Sequence, residues 1–75
     1  MTRKPSRAIW SVVVSGFRIE LWASRSHDPY SCNFTLLFSI LAQPGAVSIT
    51  YLGHDPEEAA ALFCHKVEVH RRMSA

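Results

Sequence analysis

Apolar residues recur at every second position over most of this chain, which is the period of a half-buried strand and not of a helix. In AIWSVVVS, Ala8, Trp10, Val12 and Val14 share one side. In FRIELWAS, Phe17, Ile19, Leu21 and Ala23 do the same, with Arg18 and Glu20 between them. Ser15-Gly16 stands where the two segments would turn. A two-residue loop there sets Val14 against Phe17, Val12 against Ile19 and Trp10 against Leu21. A slip of one residue would undo every match, so the register is well specified. The pattern then returns. Phe34, Leu36, Phe38 and Ile40 line one side of FTLLFSIL, and Val47, Ile49 and Tyr51 one side of AVSITYL. Gln43-Pro44-Gly45-Ala46 suits a turn with proline second and glycine third. Pairing about that turn predicts Ile40 opposite Ile49 and Phe38 opposite Tyr51.

Beyond Tyr51 the period changes. DPEEAAALFCHKVEVHRRM opens with a helix start: Asp55 as N-cap, Pro56 in the first turn, and Glu58 where a capping box would close. Glu57 and Glu58 suit the positive end of the helix dipole, Arg71 and Arg72 the negative end. Ala59, Leu62, Phe63, Val67, His70 and Met73 fall on one stripe, which is expected to lie on the sheet. KVEVH alternates like a strand, but no Gly or Pro interrupts the helix before it, so helix is the reading for 66–71. The expected fold is α+β: an antiparallel four-stranded sheet from two hairpins with one C-terminal helix on one face, in the order ββββα. Residues 1–7 make a basic tail and 8–73 a single domain. The expected core is Trp10, Val12, Ile19, Leu21, Leu36, Phe38, Ile49, Leu62 and Phe63.

His-Asp-Pro occurs twice, at 27–29 and 54–56. In the second copy Asp55 caps a helix and Pro56 begins it; in the first, Asp-Pro is ordinary turn chemistry in the loop between hairpins. Adjacent His and Asp side chains point apart, whereas a catalytic pair is built by the fold. Both copies therefore read as punctuation.

Composition narrows the function further. The chain has 75 residues with a net charge of +2, and its basic residues stand mainly at the two ends. A dedicated nucleic-acid binder has a stronger and more clustered excess. The start MTRKPSR-AIWSVVVSGF has the flavour of a secretion signal, but Arg18 and Glu20 follow at once and no small-x-small cleavage site stands behind it. The uncharged stretch 29–53 is broken by Pro44-Gly45 and dotted with polar residues, unlike a spanning helix. The expected setting is cytoplasmic, with no membrane contact.

No catalytic set is recognisable. With only three glycines there is no Gly-rich phosphate loop, and no Gly-x-Ser-x-Gly is present. Cys64 sits in the helix without a charge arrangement that would favour its thiolate. His65 and His70 have ligand-like spacing, but no close cysteine pair stands upstream to complete a zinc site. Accordingly no enzyme activity, metal or cofactor is expected, with His70 at the interior boundary and His65 facing solvent. Cys32 and Cys64 are either one bridged pair, worth about 3–4 kcal/mol in the chain-entropy model, or two buried reduced thiols.

A single helix covers one face of the predicted sheet. The other would carry Ile9, Ser11, Val13, Arg18, Glu20, Trp22, Thr35, Leu37, Ser39, Leu41, Ser48, Thr50 and Leu52, too apolar a face to leave in water. Ile9 is expected opposite Trp22. Trp22, flanked by Arg18 and Glu20, is the expected centre of a protein contact, with Arg25, Arg71 and Arg72 at its edges. The alternatives are a curled sheet that buries Trp22, a nucleic-acid-binding module and a homodimeric subunit. Sheet followed by helix resembles part of a double-stranded-RNA-binding domain. That family, however, opens with a helix and begins its last helix with lysines, where this chain has DPEE.

In format the chain resembles the small inhibitor proteins of phages and mobile elements, the anti-CRISPR proteins among them: one compact unit, no catalytic set, a sheet with one helix, and a surface suited to docking. The resemblance covers the whole chain and rests on no motif, so no family residue is carried over. It implies a non-catalytic protein that binds and blocks a larger nucleic-acid-handling complex, such as a CRISPR effector, as a monomer or homodimer.

Overall fold

The computed structural model describes residues 6–25 and 32–73. Within them lie β1 (Ser6–Val14), β2 (Phe17–Arg25), β3 (Cys32–Ile40), β4 (Val47–Gly53) and α1 (Pro56–Met73). The basic residues Arg3 and Lys4 and the first His-Asp-Pro, 27–29, lie outside the described residues. The strands form one antiparallel sheet in the order β1-β2-β3-β4, and α1 packs on one face of it. The α+β, ββββα architecture is thus the one expected.

The first hairpin has the register the alternation demands: Val14 faces Phe17, Val12 faces Ile19 and Trp10 faces Leu21. Ser15 and Gly16 both adopt positive φ, 54° and 80°. That is the tight two-residue turn whose twist matches the strands it joins. Glycine takes this conformation freely, but serine does so only at some cost. A compensating tie exists, because the Ser15 hydroxyl donates to the His70 carbonyl at 2.8 Å. That carbonyl is among the last four of α1, which have no partner within the helix.

Two register irregularities correct the expected faces. A bulge between Ala8 and Trp10 puts Ala8, not Ile9, opposite Trp22. An extra residue in one strand turns its neighbour to the same side of the sheet. Ile9 therefore joins Trp10, Leu21 and Phe34 beside α1 instead of standing on the outer face.

The larger correction is in the second hairpin. The turn Gln43–Ala46 forms as expected, with the Ala46 N–H donating to the Gln43 carbonyl (2.9 Å) and Gly45 at φ 92°. A second turn precedes it, closed by Gln43 N–H to the Ile40 carbonyl at 3.1 Å, and the ladder resumes only where Ile40 N–H meets the Ala46 carbonyl. Residues 41–46 all belong to this connection, Leu41 included. The strands then pair Leu37 with Ile49, Ser39 with Val47 and Thr35 with Tyr51. The expected Ile40–Ile49 and Phe38–Tyr51 pairs do not form. The slip is an odd number of residues, so it exchanges the two faces of β4. Val47, Ile49 and Tyr51 face away from α1, while Ser48 and Thr50 lie on its side and Leu52 packs against the core.

The core consists of Ile19, Leu21, Phe34, Leu36, Ala59, Phe63 and Val67, with Ile19 alone completely buried. Val12, Val14, Ala23, Phe38 and Leu52 pack against it. Of the expected core, Ile49 is lost to the register change. Trp10 is 44% exposed on strand β1 at the sheet edge, its ring tilted against Phe63 at 5.4 Å, and Leu62 lies on the solvent side of α1. Met73, expected on the buried stripe, is exposed as well.

The helix begins and ends as its sequence requires. Asp55 Oδ1 accepts the N–H groups of Glu57 (3.0 Å) and Glu58 (3.4 Å). His54 adds to the junction, its Nδ1–H donating to the Cys32 carbonyl at 3.2 Å. So the second His-Asp-Pro is structural in all three residues. KVEVH is helical, and α1 continues to Met73.

Candidate docking face

The sheet face turned away from α1 can be read row by row, since directly paired residues point to the same side. One row runs Val13, Arg18, Ser39, Val47; the next Ser11, Glu20, Leu37, Ile49; the third Ala8, Trp22, Thr35, Tyr51. The β1–β2 half holds the charges, Arg18 and Glu20. The β3–β4 half holds Leu37, Val47, Ile49 and Tyr51. Exposure is 48% for Val47, 55% for Ile49 and 82% for Tyr51, high values for apolar side chains held on rigid backbone.

Trp22 joins the two halves. It lies half-buried in the third row, and its indole N–H is buried with no hydrogen-bond partner among the described residues. Leaving such a donor unpaired costs about 1–3 kcal/mol. The ring thus rests on the sheet with part of its surface open, neither fully exposed nor core.

The remaining expected contact residues do not gather here. Arg25 pairs through its backbone with Cys32 at the far end of β2, and its side chain lies outside the described residues. Arg71 and Arg72 are exposed in the last turn of α1, on the opposite side of the sheet. Arg72 Nε donates to Glu68 Oε1 at 3.1 Å, a solvent-exposed pair one helical turn apart. Arg71 borders a groove of about 350 Å³ with Val12, Phe63, Cys64, Val67 and Glu68.

Cys32 and Cys64 are both free and exposed, so neither the bridge nor the buried pair describes them. Cys32 begins β3, and Cys64 stands at the rim of the groove just described. Among the described residues no three His, Cys, Asp or Glu side chains are placed to hold a metal ion. No described helix is long and apolar enough to cross a membrane.

His65 faces solvent and His70 is buried. The His70 ring packs against the stacked pair Phe17 (5.0 Å) and Phe38 (4.8 Å), and its Nδ1–H donates to the Lys66 carbonyl at 2.9 Å. The Lys66 ammonium lies over Phe38, 4.6 Å from the ring centre. The cluster closes the end of the core under the last turns of α1.

Sequence reasoning missed Val47, Ile49 and Tyr51 as outer residues. Period two shows that these residues share a face, but not which face. Only the length of the preceding connection decides that, and nothing in LAQPGA announces two consecutive turns. No protein-family model matches the chain, and neither a curated protein nor a solved structure does so.

Proposed function

We propose that this protein is a non-catalytic docking module that blocks a larger nucleic-acid-handling complex, in the manner of anti-CRISPR inhibitors, by laying the outer face of its sheet on a protein subunit of that complex. The observation that carries this reading is the inverted polarity of β4. Its apolar residues Val47, Ile49 and Tyr51 point away from α1, while its polar Ser48 and Thr50 point toward it. A strand at the margin of a monomeric sheet gains nothing from that orientation. A strand that belongs to an interface gains on the order of 1 kcal/mol for each of these part-covered side chains that a partner buries fully.

The rest of the face supports the same use. Aromatic side chains are among the usual anchors of protein interfaces, and here Trp22 and Tyr51 share a row beside Ile49 and Leu37 of the next. The fit to nucleic acid is poorer. The face pairs Arg18 with Glu20, the helix start carries Glu57 and Glu58, and Arg71 and Arg72 lie on the other side of the sheet.

The test is capture of partners from a host lysate, identified by mass spectrometry, in parallel with a nucleic-acid shift assay at two salt concentrations. Ile49→Glu is expected to abolish capture, and Trp22→Phe to keep it. Truncation of a central anchor should weaken binding by about 2 kcal/mol or more. If Ile49→Glu captures the same proteins as the parent, the docking reading is wrong. If instead binding follows nucleic acid, falls steeply with salt and is lost in Arg71→Ala and Arg72→Ala, the protein is a nucleic-acid module.

A further inference from the structure

We propose that a second copy of this chain covers the outer face when no other protein occupies it, forming a four-layer dimer with the two sheets inside and the two helices outside. The inference rests on the outer face being a docking surface, and it supplies that surface with regulation: self-association and target binding compete for Leu37, Val47 and Ile49.

Three observations single out a second copy as the occupant. The first is charge. Arg18 and Glu20 are successive outward residues of β2, in adjacent rows of the grid. A two-fold axis crossing the strands between those rows sets Arg18 of each copy over Glu20 of the other and Val47 of each over Ile49 of the other. The face is therefore complementary to itself, as a two-fold interface must be. An unrelated flat apolar surface would leave Glu20, already half-buried, without a countercharge.

The second is area. With that axis the strands overlap for about five residues at ~3.3 Å each, and four strands at ~4.8 Å spacing give roughly 320 Å² of plan per copy. Side-chain relief raises the total for two copies to on the order of 900 Å², the size of a weak, transient interface. A dimer of that size exchanges, which is what competition with a target requires.

The third is the thinness of the monomer. Its smallest extent is 15 Å, one sheet and one helix deep, and among the described residues seven apolar ones are buried. Chains this short bury too little to be more than marginally stable alone. Sheets that pack face to face sit about 10 Å apart and interdigitate their inner side chains. Leu37, Val47 and Ile49 would become a second core, with Trp22 at its rim.

Sedimentation of the full chain from low micromolar to high micromolar concentration reads the proposal directly. The expected result is a monomer–dimer equilibrium, with Trp22 emission shifting blue as the dimer fills. Ile49→Glu should raise the dissociation constant by tenfold or more, on the order of what losing one central contact does. Arg18→Glu should do the same, and the charge-swapped double variant Arg18→Glu/Glu20→Arg should recover the parent value. Circular dichroism confirms that each variant is folded, and Val47→Asp replaces Ile49→Glu if that variant is not.

A monomer at every concentration overturns the proposal, as does a dimer indifferent to Ile49→Glu or Val47→Asp. Failure of the underlying docking reading looks different. There, Ile49→Glu destroys the dimer but leaves target capture intact. Loss of capture in a chain that is always monomeric sinks only the self-association.

Discussion

At the scale of single residues, Trp22 carries an uncompensated cost. Its N–H is out of water and unpaired among the described residues, while the ring itself is useful for packing. Phenylalanine keeps the flat apolar body and removes the donor. Trp22→Phe is therefore expected to unfold within about 1 kcal/mol of the parent in urea, because relief of an unpaired buried donor offsets the smaller ring. Trp22→Ala takes away the body as well and should cost about 2 kcal/mol. If phenylalanine proves as costly as alanine, the indole N–H has a partner that matters. Ser15 shows the opposite economy: its unfavourable φ persists because the hydroxyl satisfies an end carbonyl of α1.

Among elements, β4 separates what alternation can tell from what it cannot. The first hairpin is legible from Trp10 to Leu21, since one short loop admits a single register that aligns those apolar positions. The helix was readable for a similar reason: Asp55, Pro56 and the change of period act together and agree. In β4 the same alternation left two faces to choose between, and the choice fell to a six-residue connection whose hydrogen bonds no composition rule foretells. The bulge at Ile9 escaped notice likewise, as no glycine or proline marks it. Of the candidate face, Arg18, Glu20 and Trp22 were legible because they sit in the well-determined hairpin, and Val47, Ile49 and Tyr51 were not. The two registers make opposite predictions for stability. Ile49→Thr should shift the unfolding free energy by less than about 0.5 kcal/mol, as an outer residue would, while Leu36→Ala costs about 2–5 kcal/mol as a buried truncation. Comparable losses at both sites would return Ile49 to the core and with it the register first expected.

For the molecule as a whole, the strand order 1-2-3-4 has a consequence in time. Every strand pairs with its neighbour in sequence, so the sheet assembles by closing successive short loops, the cheapest and fastest kind of closure. Only α1 must come back across the sheet, to contacts such as Ser15–His70 that are 55 residues apart in sequence. The order of events that follows is sheet first, helix last. Val67, buried where α1 meets the sheet, reports it. Val67→Ala, at a cost of about 2 kcal/mol, should leave the folding rate nearly unchanged and speed unfolding roughly thirtyfold, as a contact absent from the transition state does. Stopped-flow chevrons distinguish this from a helix that docks early, which would slow folding instead. A helix that arrives last is also the first to leave. In its absence the sheet has two greasy sides, and such a species sets how long the chain survives proteases and crowding neighbours before it folds again.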